Sequence, residues 1–266
     1  MIVRTPEIPM LPSVFLAHGS PMNALADNRY TRTWRAFGER VRPRAVLAVS
    51  AHWVTRGTAV TAMEHPRTIH DFGGFPRELF EVEYPAPGEP RLAQRVRELL
   101  SPTQVTLDQD QWGLDHGAWS VLRHVYPDAD IPVVQLSLDG ALSAREHYEL
   151  AQRLRPLRDE GVLVAGFGNV VHNLRRLDWN ENAPPAPWAE HFNRRVDDAL
   201  RSHDHAALIE PVDDEATRLS APTPEHYWPL LYALAQQDDD EPAEILVDGI
   251  EHASIGMLSV VFGALN

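Results

Sequence analysis

The chain has 266 residues, of which 44% are hydrophobic, and this is enough to bury the core of one large domain. Cysteine is absent, which excludes disulfides, a thiolate nucleophile and a cysteine-bound metal. The formal net charge of −14 argues against a nucleic-acid-binding surface, and no apolar run reaches the ~20 residues that cross a bilayer. The N-terminus lacks the apolar stretch of a signal peptide, so we expect a cytoplasmic protein with a single catalytic domain over residues 1–266.

Strands alternate with helices along the chain. Short, nearly continuous runs of apolar and β-branched residues predict buried strands at 13–17, 45–51, 132–138 and 161–167, with weaker candidates at 58–63 and 244–249. Apolar residues at helical spacing, together with caps and terminal glycines, predict helices at 89–100, 143–161, 187–204 and 224–237. This alternation predicts an α/β fold with a mostly parallel central sheet that helices cover on both faces.

Histidines follow three of the predicted strands. His18 lies in "FLAHGSP", His52 ends "VLAVSAHW", and His172 lies in "VLVAGFGNVVHNL". Ligands of open α/β sheets lie outside the carboxyl ends of the strands, so parallel strands would bring these imidazoles to one edge. Any one of them alone is explained by a structural, hydrogen-bonded histidine, whereas the set indicates a metal site. Without cysteine, that site would use imidazole and carboxylate ligands, which suit zinc or non-haem iron.

Two further histidines stand in motifs of their own. His116 lies in "DQWGLDHGAWS", where Trp112 and Trp119 can exclude water, and this setting suits a general acid or base that Asp115 orients. The alternative is a structural loop in which Asp115 caps a turn. His226, in "TPEHYWP", is predicted in the first turn of a helix, where the helix dipole favours a neutral, ligating imidazole. The alternative is a surface histidine near a helix start.

The segment 68–76, "TIHDFGGFP", reads as a loop that closes over a site, because its glycine pair permits a hinge. Within it, His70 fits a lid better than a metal site. Asp71 and Phe72, together with Trp53 beside His52, are the predicted substrate contacts. The sequence motifs of serine hydrolases, P-loop proteins and dinucleotide-binding proteins are absent.

Seven motifs occur in one order along the chain: "HGSPMNAL", "SAHW", "IHDFGGFP", "YPAPG", "DHGAW", "GNVVHNLR" and "TPEHYWPLLY". Together they closely resemble the 4,5-DOPA extradiol dioxygenase family, which belongs to the class III extradiol ring-cleavage dioxygenases. The match extends from His18 to about Tyr232. The resemblance implies one divalent metal ion, Fe²⁺ or Zn²⁺, with Fe²⁺ expected for dioxygenase activity. The ligands that it implies are His18, His52, His172 and His226.

The resemblance also implies the reaction. A catechol such as L-DOPA reacts with O₂, and its ring opens next to the two hydroxyls rather than between them, giving 4,5-seco-DOPA. His172 matches the acid/base position of the wider class but is also implied as a ligand, and His116 is the candidate proton donor. His226 stands where the wider class has a glutamate. Because of this departure, the resemblance does not decide between Fe²⁺ and Zn²⁺ as the native metal. Two alternatives are a zinc-dependent hydrolase built on the same histidines and a non-catalytic metal-binding protein.

Overall fold

The structure, a computed structural model, describes residues 10–180 and 183–265. The strands are β1 (Ser13–Ala17), β2 (Ala45–Thr55), β3 (Thr58–Thr61), β4 (Val105–Asp108), β5 (Val133–Asp139), β6 (Val162–Gly168), β7 (Ala243–Val247), β8 (Ile250–Glu251), β9 (Ile255–Gly256) and β10 (Ser259–Phe262). The helices are α1 (Arg29–Arg40), α2 (Arg77–Phe80), α3 (Pro90–Leu99), α4 (His116–Val125), α5 (Ala144–Gln152), α6 (Pro156–Asp159), α7 (Pro187–Arg201), α8 (His205–Ile209), α9 (Glu215–Ser220) and α10 (Trp228–Leu234). Two 3₁₀ turns cover Pro21–Ala24 and Leu174–Arg176.

Eight strands form one sheet in the order β4-β3-β5-β2-β6-β1-β10-β7. The central strands β5, β2, β6 and β1 run parallel to one another, as expected for strands that are buried along their length. Antiparallel pairing joins β3 to β5 on one side and β10 to β1 on the other. The short strands β8 and β9 form a separate hairpin. This mostly parallel sheet confirms the predicted fold class.

Helices cover both faces of the sheet, because successive strand residues point in opposite directions. On β2, Val46 and Ala48 join the hydrophobic cluster beneath α1 and α4, while Leu47 and Val49 join the cluster beneath α3, α5, α7 and α10. Both clusters are closed to solvent. None of the helices in residues 10–180 and 183–265 is long and apolar enough to span a bilayer.

Two predicted helices have different bounds in the structure. The helix predicted at 143–161 is divided, because Pro156 lacks an amide hydrogen and would clash with the preceding turn of a continuous helix. A new helix, α6, begins at that proline. The helix predicted at 224–237 begins only at Trp228. His226 therefore lies in a turn that precedes α10, and the prediction that it lies in the first helical turn is wrong.

The elements that were not predicted are α1, α2, α4, α8, α9, β4, β8, β9 and β10. The first turn of α4 contains His116, which was expected in a loop. Asp115 is the N-cap of this helix, and its carboxylate accepts a hydrogen bond from the amide of Ala118 at 3.3 Å. The cap fixes the start of α4, where the ring of His116 lies with its centroid 5.6 Å from that of His18 and 4.0 Å from that of His52.

Candidate metal centre and active site

The turn after β1 presents His18. Gly19 has a φ of +61°, and a Cβ there would lie 2.5 Å from the sulfur of Met257 and 2.8 Å from the amide nitrogen of Asn23. Only glycine fits this backbone and this close contact. The Nδ1 atom of His18 lies 2.9 Å from the carbonyl oxygen of Gly19, which can only accept, so Nδ1 carries the proton. The lone pair of His18 is therefore on Nε2.

A bulge in β2 carries His52. The pairing of β2 with β5 is regular up to Val49 opposite Leu136 and resumes at Val54 opposite Leu138. Four residues of β2 thus lie opposite one residue of β5, and the extra backbone turns the side chain of His52 towards β1. Its Nε2 atom lies 3.3 Å from Nε2 of His18.

His226 reaches the same point from the turn before α10. This turn packs against the end of β6, where the amide of Asn169 donates to the carbonyl of His226 at 2.8 Å. A side chain on Gly168 would lie 2.3 Å from that carbonyl, so glycine permits the close packing. His18, His52 and His226 each offer a ring nitrogen within 4.8 Å of the others.

These three histidines fit a divalent metal ion. The Nε2 atom of His226 is buried and has no hydrogen-bond partner among the described residues. Leaving such a nitrogen without a partner costs free energy, and a metal ion would satisfy it. Burial and the neighbouring imidazoles lower the pKa of His18 and of His226 well below the usual value, which favours the neutral form that binds metals.

His172 lies beside this group rather than in it. Its ring is stacked on that of His226, with centroids 3.5 Å apart and planes 7° apart, whereas its centroid is 6.4 Å from that of His18. Its backbone amide donates to the carbonyl of Ser220 at 2.8 Å. Burial, with the charges of His52 and His116, lowers the pKa of His172 to about 4, so the ring is neutral at neutral pH.

Asp71 joins two histidines of the site. Its Oδ2 atom lies 3.1 Å from Nδ1 of His52, and its Oδ1 atom lies 3.0 Å from Nδ1 of His116. Oδ1 also accepts a hydrogen bond from the backbone amide of His116 at 2.9 Å. Burial raises the pKa of Asp71, but the contacts with the two histidines outweigh burial and hold it well below the usual range. The carboxylate therefore stays ionised.

Asp115 has a different role from the one predicted. Instead of orienting the ring of His116, it caps α4 and accepts hydrogen bonds from the hydroxyl of Ser50, at 2.6 Å, and from the side-chain amide of Gln135. It is fully buried. Asp71, on the loop that sequence analysis treated as a lid, is the carboxylate that faces His116. Burial and the nearby His52 lower the pKa of His116.

A cavity of about 500 Å³ opens beside the histidines. Of the predicted site residues, it is lined by His18, His52, Asp71, Phe72, His116, His172 and His226. Trp53 is not among the lining residues. Its ring stacks instead on that of Trp112, with centroids 5.7 Å apart and planes 4° apart. Successive strand residues point in opposite directions, which explains why Trp53 lies outside the cavity that His52 lines.

The 68–76 loop is anchored at its start and reaches the cavity with its tip. The indole of Trp119 donates to the carbonyl of Ile69 at 2.7 Å, and Nε2 of His70 lies 2.9 Å from the carbonyl oxygen of Val82. His70 therefore fixes the base of the loop. Further along, the ring of Phe72 meets that of His116 edge to face, with centroids 5.4 Å apart.

The outer wall of the cavity was missed by the sequence analysis. It consists of Leu174, Leu177, Trp179, His252 and Ile255. Leu174 is part of the motif "GNVVHNLR", but no motif or periodicity distinguishes the others, because they lie on irregular backbone and on a short hairpin. The one available signal was a tryptophan, Trp179, seven positions after His172.

Comparisons with known proteins agree with this geometry. The family described as the catalytic LigB subunit of aromatic ring-opening dioxygenase matches residues 11–263. The chain is 54% identical over 257 residues to a protein of Escherichia coli (strain K12) named 4,5-DOPA dioxygenase extradiol, with 95% of each chain covered. It is 38% identical to a protein of Beta vulgaris with the same name, over 87% of this chain and 89% of the other.

A solved structure has the same fold. The crystal structure of an uncharacterized protein of Escherichia coli K12 matches with a TM-score of 0.84 and 49% sequence identity, covering 95% of this chain and all of the other. The resemblance that the seven motifs indicate is therefore confirmed. With a family match over nearly its whole length, the chain belongs to the LigB family, the catalytic subunits of aromatic ring-opening dioxygenases.

Proposed function

We propose that the protein is a metal-dependent extradiol dioxygenase that opens a catechol ring with O₂, as in the conversion of L-DOPA to 4,5-seco-DOPA. The observation that carries this proposal is the convergence of three imidazole nitrogens, within 4.8 Å of one another, at the inner end of a 500 Å³ cavity. Family membership supplies the reaction class. The names of the E. coli and Beta vulgaris relatives support L-DOPA as the substrate.

His18, His52 and His226 would hold the metal. Fe²⁺ at this position would bring the catechol and O₂ together and carry electrons from one to the other. An all-histidine set of ligands also suits Zn²⁺. The dioxygenase activity measured with each of the two ions will therefore identify the functional metal. The buried, unpartnered Nε2 of His226 supports a bound ion of either kind.

His172 and His116 would handle protons. The ring of His172 is neutral at neutral pH, as its lowered pKa indicates, and it lines the cavity beside the ligands, so it can accept a proton from a catechol hydroxyl. Asp71 would orient His116 through Nδ1 and the backbone amide, which leaves Nε2 of His116 for proton transfer. The same carboxylate would orient His52 as a ligand.

The sheet topology and the composition of the chain support a single catalytic domain, its location and the kind of substrate. The eight-stranded sheet takes strands from Ser13 to Phe262, which supports a single domain over residues 1–266. A cytoplasmic location is supported by the absence of cysteine, and the net charge of −14 supports a small-molecule substrate rather than nucleic acid.

Anaerobic loading with Fe²⁺ or Zn²⁺, followed by a catechol and then O₂, tests the proposal. A dioxygenase consumes O₂ and forms a yellow ring-opened product, a hydrolase turns over without O₂, and a metal-binding protein does neither. His52→Ala is expected to lose the metal and the activity together. His191→Ala, which changes an exposed histidine of α7, is the matched control and should retain both.

A further inference from the structure

The cavity has two ends of different character. The histidines occupy the inner end, and the outer end is formed by two separate segments of the chain, the stretch from Leu174 to Trp179 and the turn between β8 and β9. The side chain of Trp179 is 78% exposed and that of Leu174 is 60% exposed. A large aromatic side chain this exposed at the mouth of a cavity has a surface free to meet a ligand.

Backbone hydrogen bonds tie the two segments together. The amide of Asp178 donates to the carbonyl of His252 at 3.0 Å, and the amide of Ala186, just before α7, also holds the β8–β9 turn by donating to the carbonyl of Ala253 at 2.9 Å. His252 has a φ of 49° and Ala253 a φ of 62°. Two successive non-glycine residues in the left-handed region are unfavourable, and such conformations concentrate at functional sites. This turn keeps His252 at the cavity mouth.

The hydrogen bond of the His252 ring determines which of its two nitrogens can accept a hydrogen bond from a ligand. Nδ1 lies 3.2 Å from the carbonyl oxygen of Asp178, which can only accept, so Nδ1 carries a proton. In the neutral ring, Nε2 then has a lone pair. The ring of Trp179 is nearby, with its centroid 6.0 Å from that of His252. A lone pair and the face of an indole both attract a cation.

The described residues at the mouth of the cavity include no cationic side chain that would repel an ammonium group. Among the described residues that line it, none is an arginine or a lysine, and Asp71 is the carboxylate. Arg175 and Arg176 belong to the neighbouring 3₁₀ turn but are not among the lining residues. A carboxylate at the mouth therefore meets no lysine or arginine among the described lining residues, whereas an ammonium group meets an aromatic face and a hydrogen-bond acceptor.

We propose that Trp179 and His252 form a subsite for an ammonium group on the side chain of the catechol substrate. The inference rests on the proposed catechol dioxygenase activity, because the ring must bind at the histidines for its side chain to reach the mouth. It predicts the substrate class: aminoalkyl catechols are preferred over catechols of similar size whose side chain is neutral or carries only a carboxylate.

Three catechols separate these possibilities: dopamine, 4-ethylcatechol and 3-(3,4-dihydroxyphenyl)propionate. With the Fe²⁺-loaded protein, kcat/KM should fall in that order. Trp179→Leu should lower kcat/KM for dopamine about 3- to 30-fold, the range that corresponds to a cation–π contact, and leave the value for 4-ethylcatechol within about 2-fold. Trp179→Phe keeps an aromatic face and should restore part of the preference. His252→Gly removes the imidazole, suits the left-handed backbone, and should also reduce the preference for dopamine.

A binding experiment keeps this inference separate from the proposed activity. Tyramine and 3-(4-hydroxyphenyl)propionate differ in the charged group but lack the catechol, so their affinities for the full chain can be measured by calorimetry without turnover. Tighter binding of tyramine that Trp179→Leu abolishes supports the subsite even if no catechol consumes O₂. Equal binding of the two, or a preference for the propionate that Arg175→Gln removes, overturns it.

Discussion

The imidazole rings of His172 and His226 are stacked, with centroids 3.5 Å apart and planes only 7° apart. Parallel rings at this distance lie one above the other, so the ring nitrogens of His172 and His226 direct their lone pairs within two separate, parallel planes. A nitrogen lone pair points within the plane of its ring. The stacking therefore favours different roles for the two histidines, with His226 as a ligand and His172 as a proton acceptor.

Substitutions at these two positions should consequently have different effects. We expect His226→Gln to reduce metal content and activity together, because it removes one of three convergent nitrogens. We expect His172→Gln to retain stoichiometric metal while kcat falls about 10²- to 10⁴-fold, as for other positioned acids and bases. Metal analysis and steady-state kinetics on both variants check this. Loss of metal from His172→Gln would assign it to the ligands.

Asp71→Asn tests the carboxylate between His52 and His116. An amide has one oxygen and one NH₂ group, so it can accept from only one of the two histidines and places a donor against the other. We expect metal affinity about 10- to 100-fold weaker, together with a lower kcat. Asp128→Asn, at an exposed position, provides the control. Metal binding and turnover like those of the unmodified protein would show that the contacts of Asp71 are dispensable.

Gly117→Ala tests how closely α4 approaches the site. A Cβ at Gly117 would lie 2.6 Å from the hydroxyl of Ser50 and 2.8 Å from Cδ2 of His52, so the imidazole must move. We expect a folded protein with weakened metal binding, measured by titration with Fe²⁺ or Zn²⁺ and by circular dichroism. Gly140→Ala is the comparison, since its Cβ would come no closer than 3.1 Å to any heavy atom outside its immediate neighbours. Unchanged affinity in Gly117→Ala would mean that the position of His52 is not critical.

His147 links stability to pH at a point away from the cavity. It is fully buried, with Nδ1 at 3.0 Å from the hydroxyl of Tyr232, and burial lowers its pKa from 6.5 to about 4. The unfolded chain therefore binds this proton more tightly, and the free energy of unfolding decreases as the pH falls from 6.5 towards 4. The lowered pKa corresponds to roughly 3 kcal/mol over this interval.

In the metal-free protein, His147→Gln should reduce the slope of the unfolding free energy against pH by up to about 1.4 kcal/mol per pH unit between pH 6.5 and 4. Some slope will remain, because His18, His172 and His226 have lowered pKa values as well. Urea denaturation at several pH values gives the slopes. Equal slopes for the two proteins would show that the pKa of His147 does not change on folding.

The central strands and the edge at which the histidines meet could be predicted from the sequence. Strand β1 has the predicted bounds, and the predicted histidines after β1, in β2 and after β6 all line one cavity. This succeeded because parallel strands that are buried on both faces have a recognisable apolar run, and because all their carboxyl ends lie on one side.

Helix α4 and the start of α10 could not be placed by the same reasoning. Of the ten residues of α4, only Arg123 is not buried, and Gly117 near its start is a residue that disfavours helices. For α10, Pro229 was a better marker of the helix start than Pro224, since proline fits the first turn but not a later one. Gly38 of α1 permits close contact with Val125 of α4, a tertiary requirement that has no local signal.

The contact between Asp71 and His116 could not be predicted from the local sequence either. The two residues are 45 positions apart, and the nearer Asp115 was the natural choice as a partner. Asp115 is buried beside Ser50 and Gln135 because α4 packs against the sheet. Positions in the outer cavity wall, such as Trp179, depend on irregular backbone and follow no period.

The place of β1 in the sheet has a consequence for how the protein is made. β1 lies between β6 and β10, and the amide of Ala17 donates to the hydroxyl of Ser259 at 3.1 Å, immediately before His18. A ligand near the start of the chain is thus held by residues translated some 240 positions later. Because closing so long a loop precedes its stabilising contacts, we expect the metal to enter only after nearly the entire chain has left the ribosome.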